Sequence, residues 1–392
     1  LMVNIVTRSG AIYAGEKINS AYTIGSREAG ARGGMLLAAE TIKREVFPTL
    51  ELNGIVDVNF KGFIQIVDTL GCAYVNVDHR YFNENVGTPE TDYTSINLEP
   101  GYQKLCYQDA LDYVRYRHTD SDFVRVARQQ DFLRALREQV SPEDVEGQID
   151  KVARAVGDAI SSTIHGSADE LIKLSKLIAF SQAKPVRQVK FLAADANYFV
   201  NNASFVTSTP ELERQTLEDF LAGEAQPGVP AQAPVHTSRR DRRPVRAGSV
   251  AGLTATLTSG EEEAAKAAPQ VPFRVLYPTL QTVQAQQQQV RPYAVRDPSG
   301  QLHLAYVVVW EQSPVGGYYD LEGTDWSNPP LFSHARIRVA YGRRFLVVDD
   351  GSHIHVVGWR SRGVLYWLTN TLLEELSNAQ MLAIADSARA LR

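Results

Sequence analysis

Over residues 1–223, stretches in which apolar and polar residues alternate give way repeatedly to stretches with helical spacing. Leu1 to Val6 reads as a strand, followed by a Gly-containing turn and then Lys17-Ile18-Asn19-Ser20-Ala21-Tyr22. From Gly30 to Phe47, Met35, Leu36, Ala39, Ile42 and Val46 recur at helical intervals until Pro48 ends the pattern. Val56, Val58 and Phe60 alternate like a strand, Lys61-Gly62-Phe63 opens a short helix through Val67 and Asp68, and Val75 with Val77 marks another strand. The polar stretch Tyr81 to Thr94, rich in Asn, Gly and Pro, reads as a loop. Helices are predicted over Tyr107–Arg115 and Asp122–Val140, a further one opens at Ser141-Pro142, and amphipathic helices cover Gln148–Ile164 and Ala168–Phe180 before a strand at Val189–Leu192. Strands alternating with helices favour a sheet with helices packed on it.

The pattern changes twice more. From Glu224 to about residue 272 the chain turns to Pro, Ala, Gln and Gly around the run Arg239-Arg240-Asp241-Arg242-Arg243, too sparse in apolar residues to offset ordering entropy, and it reads as a disordered linker. The arginine run there is read as a solvated charge cluster. Residues 273–392 form a small α+β domain, with strands at Leu304–Trp310, Ala335–Val339, Arg344–Val348 and Ile354–Val357 and a closing helix from Thr371 to Leu391. His353 and His355 alternate on one strand face, a pairing more often structural than metal-binding.

At 392 residues the chain has the length of two domains plus connecting material. A net charge of -5 argues against a whole-protein nucleic-acid binder, so any anion site is a local concentration of arginine. No apolar run is long enough to span a bilayer, and the chain opens inside a strand, so it is expected to be a fragment of a longer protein. Of the two cysteines, Cys72 and Cys106, the residues alone allow either a disulfide or two buried small hydrophobes.

Candidate chemistry lies between Leu111 and Gln139, where Arg115, Arg117, Arg125, Arg128, Arg134 and Arg137 crowd into a helix-loop-helix without lysine. The planar guanidinium fork matches phosphate oxygens two at a time. With a helix starting near Asp122, Arg125, Arg128 and Gln129 fall at i, i+3 and i+4, near an N-terminus that itself favours an anion. Arg115 and Arg117 arrive from the preceding helix, so four guanidinium groups can converge, with Asp122 as the nearest internal compensation. A solvated helix whose arginines pair with Asp112, Asp120, Asp122 and Asp131 accounts for the same spacing.

Lys17-Ile18-Asn19-Ser20-Ala21-Tyr22, Phe60-Lys61-Gly62-Phe63, Val67-Asp68-Thr69-Leu70-Gly71 and Tyr113-Val114-Arg115-Tyr116-Arg117-His118, running on through Arg125 and Arg128-Gln129-Gln130, together resemble the LytR-CpsA-Psr family of cell-wall glycopolymer transferases. The resemblance covers about residues 1–223 and implies an α/β/α sandwich with a central sheet and an apolar tunnel for a polyprenyl chain. The implied activity moves a glycopolymer from an undecaprenyl-pyrophosphate carrier to peptidoglycan on the extracytoplasmic face of the membrane, usually with Mg²⁺. Matched position by position, Arg115, Arg117, Arg125 and Gln129 form the pyrophosphate-binding set and Asp122 its acidic partner. Lys17 is the lysine of the K-I-N motif, and Arg128 beside the set is a further contact. Arg115, Arg117, Asp122 and Arg125 are the residues expected to carry catalysis.

The same resemblance implies a Cys72–Cys106 disulfide, because the compartment is oxidising. The family's Asp-containing strand and Arg-Asp pair stand upstream of the strand that here begins at Leu1. The expectation is therefore that the metal ligands and the membrane anchor precede residue 1, and that the chain as it stands, with an unpaired sheet edge, is inactive. The competing readings are a non-catalytic binder of anionic cell-wall polymer or polyprenyl phosphate and, disfavoured by the net charge, a nucleic-acid-binding regulator.

Overall fold

The computed structural model describes residues 1–84, 94–116, 121–140, 160–162, 189, 191–200, 203–225, 250–313 and 317–391. Arg117, most of the helices expected over 141–180 and the arginine run at 239–243 lie outside these residues. β1 (Met2–Val6) pairs antiparallel with β2 (Ile12–Lys17), and Val3 and Ile5 of β1 are buried. α1 (Ser20–Glu45) is broken at Ala29 and Gly30, where Gly30 takes φ 62°. Its two arms close on each other through glycine, since a Cβ on Gly25 would stand 2.4 Å from the Gly33 carbonyl oxygen. The apolar spacing from Gly30 onward predicted only the second arm.

β3 (Val56–Val58) leads into α2 (Phe60–Thr69), whose first turn is capped by the Asn59 side chain accepting the Gly62 N–H at 2.8 Å. β4 (Ala73–Val77) is buried at all five positions. Inside the stretch expected as a loop, β5 (Tyr81–Asn83) pairs with β6 (Ile96–Leu98). β7 (Gly101–Leu105) pairs with β4, and α3 (Tyr107–Arg115) and α4 (Asp122–Gln139) follow. Cys72 and Cys106 are joined in a disulfide just outside the Ala73–Leu105 pair of that ladder. Loop closure over the 34-residue separation removes unfolded-state entropy worth roughly 4 kcal/mol.

β8 (Ile160–Ser162) pairs with β3, so a stretch expected to be helical to Ile164 supplies strand backbone instead. The expected strand at Val189–Leu192 is irregular at its described residues; the strands come later, as the hairpin β9 (Asp195–Val200) and β10 (Ala203–Thr207), before α5 (Pro210–Ala225). Within the expected linker, the described residues from 250 on form regular elements. β11 (Leu253–Ala255), α6 (Thr258–Ala265), β12 (Leu276–Pro278) and β13 (Leu280–Thr282) follow one another, and β11 pairs with β13. The segment reads as linker because its buried positions, Gly260, Ala264 and Ala267, carry almost no hydrophobicity of their own. A Cβ on Gly260 would stand 2.4 Å from the Tyr277 hydroxyl oxygen, so smallness, not apolar bulk, is what this contact needs.

The C-terminal strands are β14 (Gln286–Arg296), β15 (Leu302–Ser313), β16 (Gly317–Thr324), β17 (Arg336–Ala340), β18 (Arg343–Asp350), β19 (His353–Ser361) and β20 (Val364–Thr369). They form one antiparallel seven-stranded sheet in the order β14-β15-β16-β20-β19-β18-β17. α7 (Asn378–Ser387) and β21 (Ala388–Ala390) close the chain. The predicted helix from Thr371 begins only at Asn378. Asn370 donates to the Ile354 and Leu376 carbonyls and holds residues 371–376 as a turn, and Ser377 starts the helix with a capping box to Gln380.

The chain packs as two compact units, the described residues of 1–63 with 153–238 and those of 64–152 with 239–392. This differs from the expected boundaries near 223 and 272. The strands of the N-terminal region occur among the described residues as five separate antiparallel pairs, not as one continuous central sheet. In the second unit one face of the large sheet buries Trp310, Tyr319, Phe345 and Trp359 with Met381 and Ile384 of α7. The other face carries Tyr293, Trp326 and Trp367, and against it lie Tyr74 of β4 and Tyr102 of β7. Polar contacts fix this docking: the Tyr74 hydroxyl donates to the Arg296 carbonyl at 2.7 Å, and the Leu331 N–H to the Tyr102 hydroxyl at 3.0 Å. Among the described residues no helix is long and apolar enough to cross a membrane.

Two carboxyls are sealed into this junction. Asp320 and Glu322, two residues apart on β16, share a face and are both 0% exposed. Asp320 accepts from the Asn76 amide at 2.7 Å; Glu322 accepts from the Tyr102 N–H at 3.1 Å and from the Tyr293 hydroxyl. Burial pushes both upward, Glu322 to about 8, and Asp320 well above the carboxylate range with the Glu322 charge adding to the effect. A carboxyl that holds its proton to higher pH when folded stabilises the fold fully below its unfolded value near 4.5, and that contribution is lost as pH rises toward about 8. The urea midpoint of the protein is therefore expected to fall across this window, and Glu322→Gln, which keeps the shape without the titration, is expected to flatten the fall. A midpoint that rises across the window in the native protein contradicts this assignment.

Candidate functional site

The last carbonyls of a helix have no partners within it, and at the end of α3 they are met by side chains of α4. Arg128 Nη1 donates to the carbonyls of Tyr113 at 3.1 Å and Tyr116 at 2.8 Å, and Gln129 Nε2 donates to that of Val114 at 3.0 Å. Arg128 Nε reaches the Tyr81 hydroxyl at 3.1 Å, and its guanidinium lies 4.4 Å from the Tyr81 ring centroid and under 6 Å from those of Tyr113 and Tyr116. Arg128 is 0% exposed. Expected as a pyrophosphate contact, Arg128 here donates to two carbonyls among three tyrosine rings and so ties the end of α3 to α4. Helical spacing alone did not reveal that Arg128 points inward while Arg125 does not.

The buried cation has a buried carboxylate nearby. Asp78, at the end of β4, accepts from the Tyr81 hydroxyl and lies 3.1 Å from His79 Nδ1. Burial pushes the Asp78 carboxyl up, but His79, the Tyr81 bond and the Arg128 charge outweigh it and hold the group below its ordinary value. The His79 ring stacks on Tyr318 at 3.9 Å. Sequence reasoning passed over Asp78, His79 and Tyr81. The available signal was a run of charged and aromatic residues directly after a strand with apolar character at every second position.

Arg115, Asp122 and Arg125, on the two helices that the clamp joins, are all half-buried. Arg115 closes the last turn of α3, next to the Val114 carbonyl that Gln129 holds. Burial raises the carboxyl of Asp112, one turn back, an effect the Arg115 charge opposes. α4 starts on Ser121, whose hydroxyl accepts the Val124 N–H at 3.3 Å, and in its first turn Arg125 pairs with Asp122 at 3.1 Å. This pair is partly exposed, at 30% and 43% for the two side chains, so it contributes little to stability and can open to another anion. Gln129 lies one turn beyond Arg125 on the same helix face. Arg117 falls in the undescribed segment between the two helices. Lys17 ends β2 in the other compact unit, with Nζ 5.5 Å from the Phe205 ring.

The far half of α4 is anchored to the core. Arg134 joins Asp131 of its own helix to Asp350 of β18, the latter at 2.9 Å, and His355 of β19 lies 3.5 Å from Asp131. Burial pushes the His355 imidazole down, and the Arg134 charge adds to this. His353 and His355 both face Glu374, at 3.4 and 3.9 Å. At the helix end the Gln139 side chain pairs with the Tyr74 backbone as a neighbouring strand would, accepting its N–H at 2.7 Å and donating to its carbonyl at 2.6 Å. Among the described residues no three His, Cys, Asp or Glu side chains gather closely enough to hold a metal ion.

The profile of the LytR_cpsA_psr family matches residues 1–219. Biofilm regulatory protein A of Streptococcus mutans is 26% identical over 202 residues, 51% of this chain and 46% of that protein. The polyisoprenyl-teichoic acid–peptidoglycan teichoic acid transferase TagV of Bacillus subtilis is 27% identical over 210 residues, 52% of this chain and 50% of that protein. The crystal structure of B. subtilis TagV aligns at 20% identity with a TM-score of 0.42, covering 57% of this chain and 80% of that one. The chain thus spans about half the length of these curated relatives.

The clamp makes a direct prediction. Arg128→Ala is expected to lower the unfolding free energy by roughly 3 kcal/mol or more, since it leaves helix-end carbonyls and Asp78 without their buried cation. Arg128→Lys is expected to recover only part, having no fork to reach both carbonyls. Arg115→Ala, at a half-exposed position, is expected to cost less than about 1 kcal/mol. Urea unfolding of the three variants checks the order, and equal small effects would remove the clamp's structural role.

Proposed function

The chain belongs to the LytR_cpsA_psr family, and on that premise we propose that it is a cell-envelope phosphotransferase that moves a glycopolymer from an undecaprenyl-pyrophosphate carrier to peptidoglycan. One observation supports this reading: Arg128 and Gln129 of α4 bind the carbonyls at the end of α3, tying together the helices that carry Arg115 and Arg125, with Arg117 between them in sequence. Guanidinium groups held in place before reaction stabilise developing charge on phosphate oxygens without reorganising. A relative whose name describes transfer of teichoic acid from a polyisoprenyl carrier to peptidoglycan supports the reaction class.

In this reaction a peptidoglycan hydroxyl attacks the glycan-bearing phosphorus and loses its proton to a base. The bridging P–O bond breaks and polyprenyl phosphate leaves with the negative charge. Arg115, Arg117 and Arg125 take up charge on the bridging and terminal oxygens, and Asp122 holds Arg125 in position until the diphosphate arrives. An extracytoplasmic, membrane-associated location belongs to the same proposal, and the Cys72–Cys106 disulfide supports it, since such bonds persist in oxidising compartments.

The test is release of polyprenyl phosphate when the full-length protein is incubated with a polyprenyl-pyrophosphate-linked glycan and peptidoglycan. Turnover is expected of that protein. Arg115→Ala and Arg125→Ala are each expected to lower kcat by about 10²- to 10³-fold with the urea midpoint close to native. Tight donor binding with no release of lipid phosphate would instead make the protein a non-catalytic polymer binder.

A further inference from the structure

The part of the chain beyond the family match holds a second concentration of arginine. At one end of the seven-stranded sheet a cleft of about 620 Å³ is lined by Arg274, Arg343, Arg362 and Arg389 over an apolar floor that includes Phe273 and Val364. Asp386 is the sole carboxylate in its lining. Four guanidinium groups against one carboxylate make the cleft strongly positive in a chain whose net charge is -5, and lysine is absent from it as it is from the α3–α4 segment.

The four arginines are held differently. Arg343, at the start of β18, donates to the Asp386 carbonyl at 3.3 Å and lies 3.4 Å from its carboxylate, with the Phe345 and Trp359 rings 5.5 and 5.6 Å away. Arg389, in β21, donates to the carbonyls of Asp386 and Ala388. These two are fixed by the end of α7. Arg274 and Arg362 are exposed, and neither has a carboxylate within 4 Å among the described residues. Arg362 sits at the tip of the β19–β20 turn with φ 53°, so a bulky charged residue occupies a left-handed position that glycine or asparagine fills at less cost.

Like charges brought together without counterions repel, and arginine forks match phosphate oxygens in pairs. The volume is that of a small-ligand site, and the floor offers apolar surface beside the charge. We infer that this cleft binds a small phosphate-bearing molecule, with Arg343 and Arg389 as the preformed half of the site and Arg274 and Arg362 closing on the anion. The inference rests on the cleft alone and stands or falls independently of the transferase reading.

The probes are glucose 1-phosphate and a short glycerol phosphate oligomer, with glucose as the uncharged control. The readout is the set of indole N–H signals of the four tryptophans, of which Trp359 adjoins Arg343. Both phosphates are expected to bind saturably, to shift the Trp359 signal and to weaken as salt is raised; glucose is expected to leave it unmoved. The double variant Arg274→Gln, Arg362→Asn removes two exposed side chains and keeps a residue suited to the turn. It is expected to keep the native unfolding midpoint and to weaken binding at least about tenfold, whereas Arg115→Ala with Arg125→Ala leaves the Trp359 response intact. A motionless Trp359 signal, affinity unchanged in the double variant, loss of the response in the Arg115, Arg125 pair, or binding to anionic vesicles without binding to the soluble phosphates each overturns the inference.

Discussion

The arrangement depends on one buried cation. Arg128 is removed from water, and a bare guanidinium in such a place is heavily penalised; helix-end carbonyls at Nη1, a tyrosine hydroxyl at Nε, ring faces and the nearby Asp78 charge offset that penalty. That local solution fixes how α3 meets α4. The half-buried Arg115 and Arg125 sit on helices joined by a residue that never touches the surface.

The clamp in turn leans on a core that the family segment does not supply by itself. β4 and β7 place Tyr74 and Tyr102 on the second face of the C-terminal sheet, Asn76 meets Asp320, and the Tyr102 amide meets Glu322. α4 is tied to β18 and β19 through Arg134, Asp131, Asp350 and His355. Residues 273–392, whose role was not evident from sequence, thus form the floor beneath the helices that carry the candidate site. Their sheet is part of the site's support and not an appendage to it.

Much of the local structure was legible because local periodicity determines it. α3, the start of α4, β4 and four of the C-terminal strands follow from spacing, and the Cys72–Cys106 bridge follows from the family likeness. What was not legible is nonlocal. Nothing in the run Gln286 to Gln289 marks the strand that pairs with Val309 and Trp310, and small residues concealed α6 inside an apparent linker. Arg128 and Arg125 are indistinguishable by composition; only the tyrosines arriving from β5 and α3 separate the inward one from the outward. Contacts such as Tyr74 to Arg296, 222 residues apart, cross the expected domain boundaries and leave no trace in either segment alone.

That separation bears on how the nascent protein matures. The β4–β7 pair is synthesised long before β14 to β20, yet the Tyr74 hydroxyl, the Asn76 amide and the Tyr102 N–H meet partners there, 191 to 293 residues downstream. Until those strands emerge, an aromatic surface waits uncovered, the condition in which chains stick to one another or to chaperones. The cystine at the base of the pair can close early and hold that surface in shape through the wait, acting as a template for a sheet that does not yet exist.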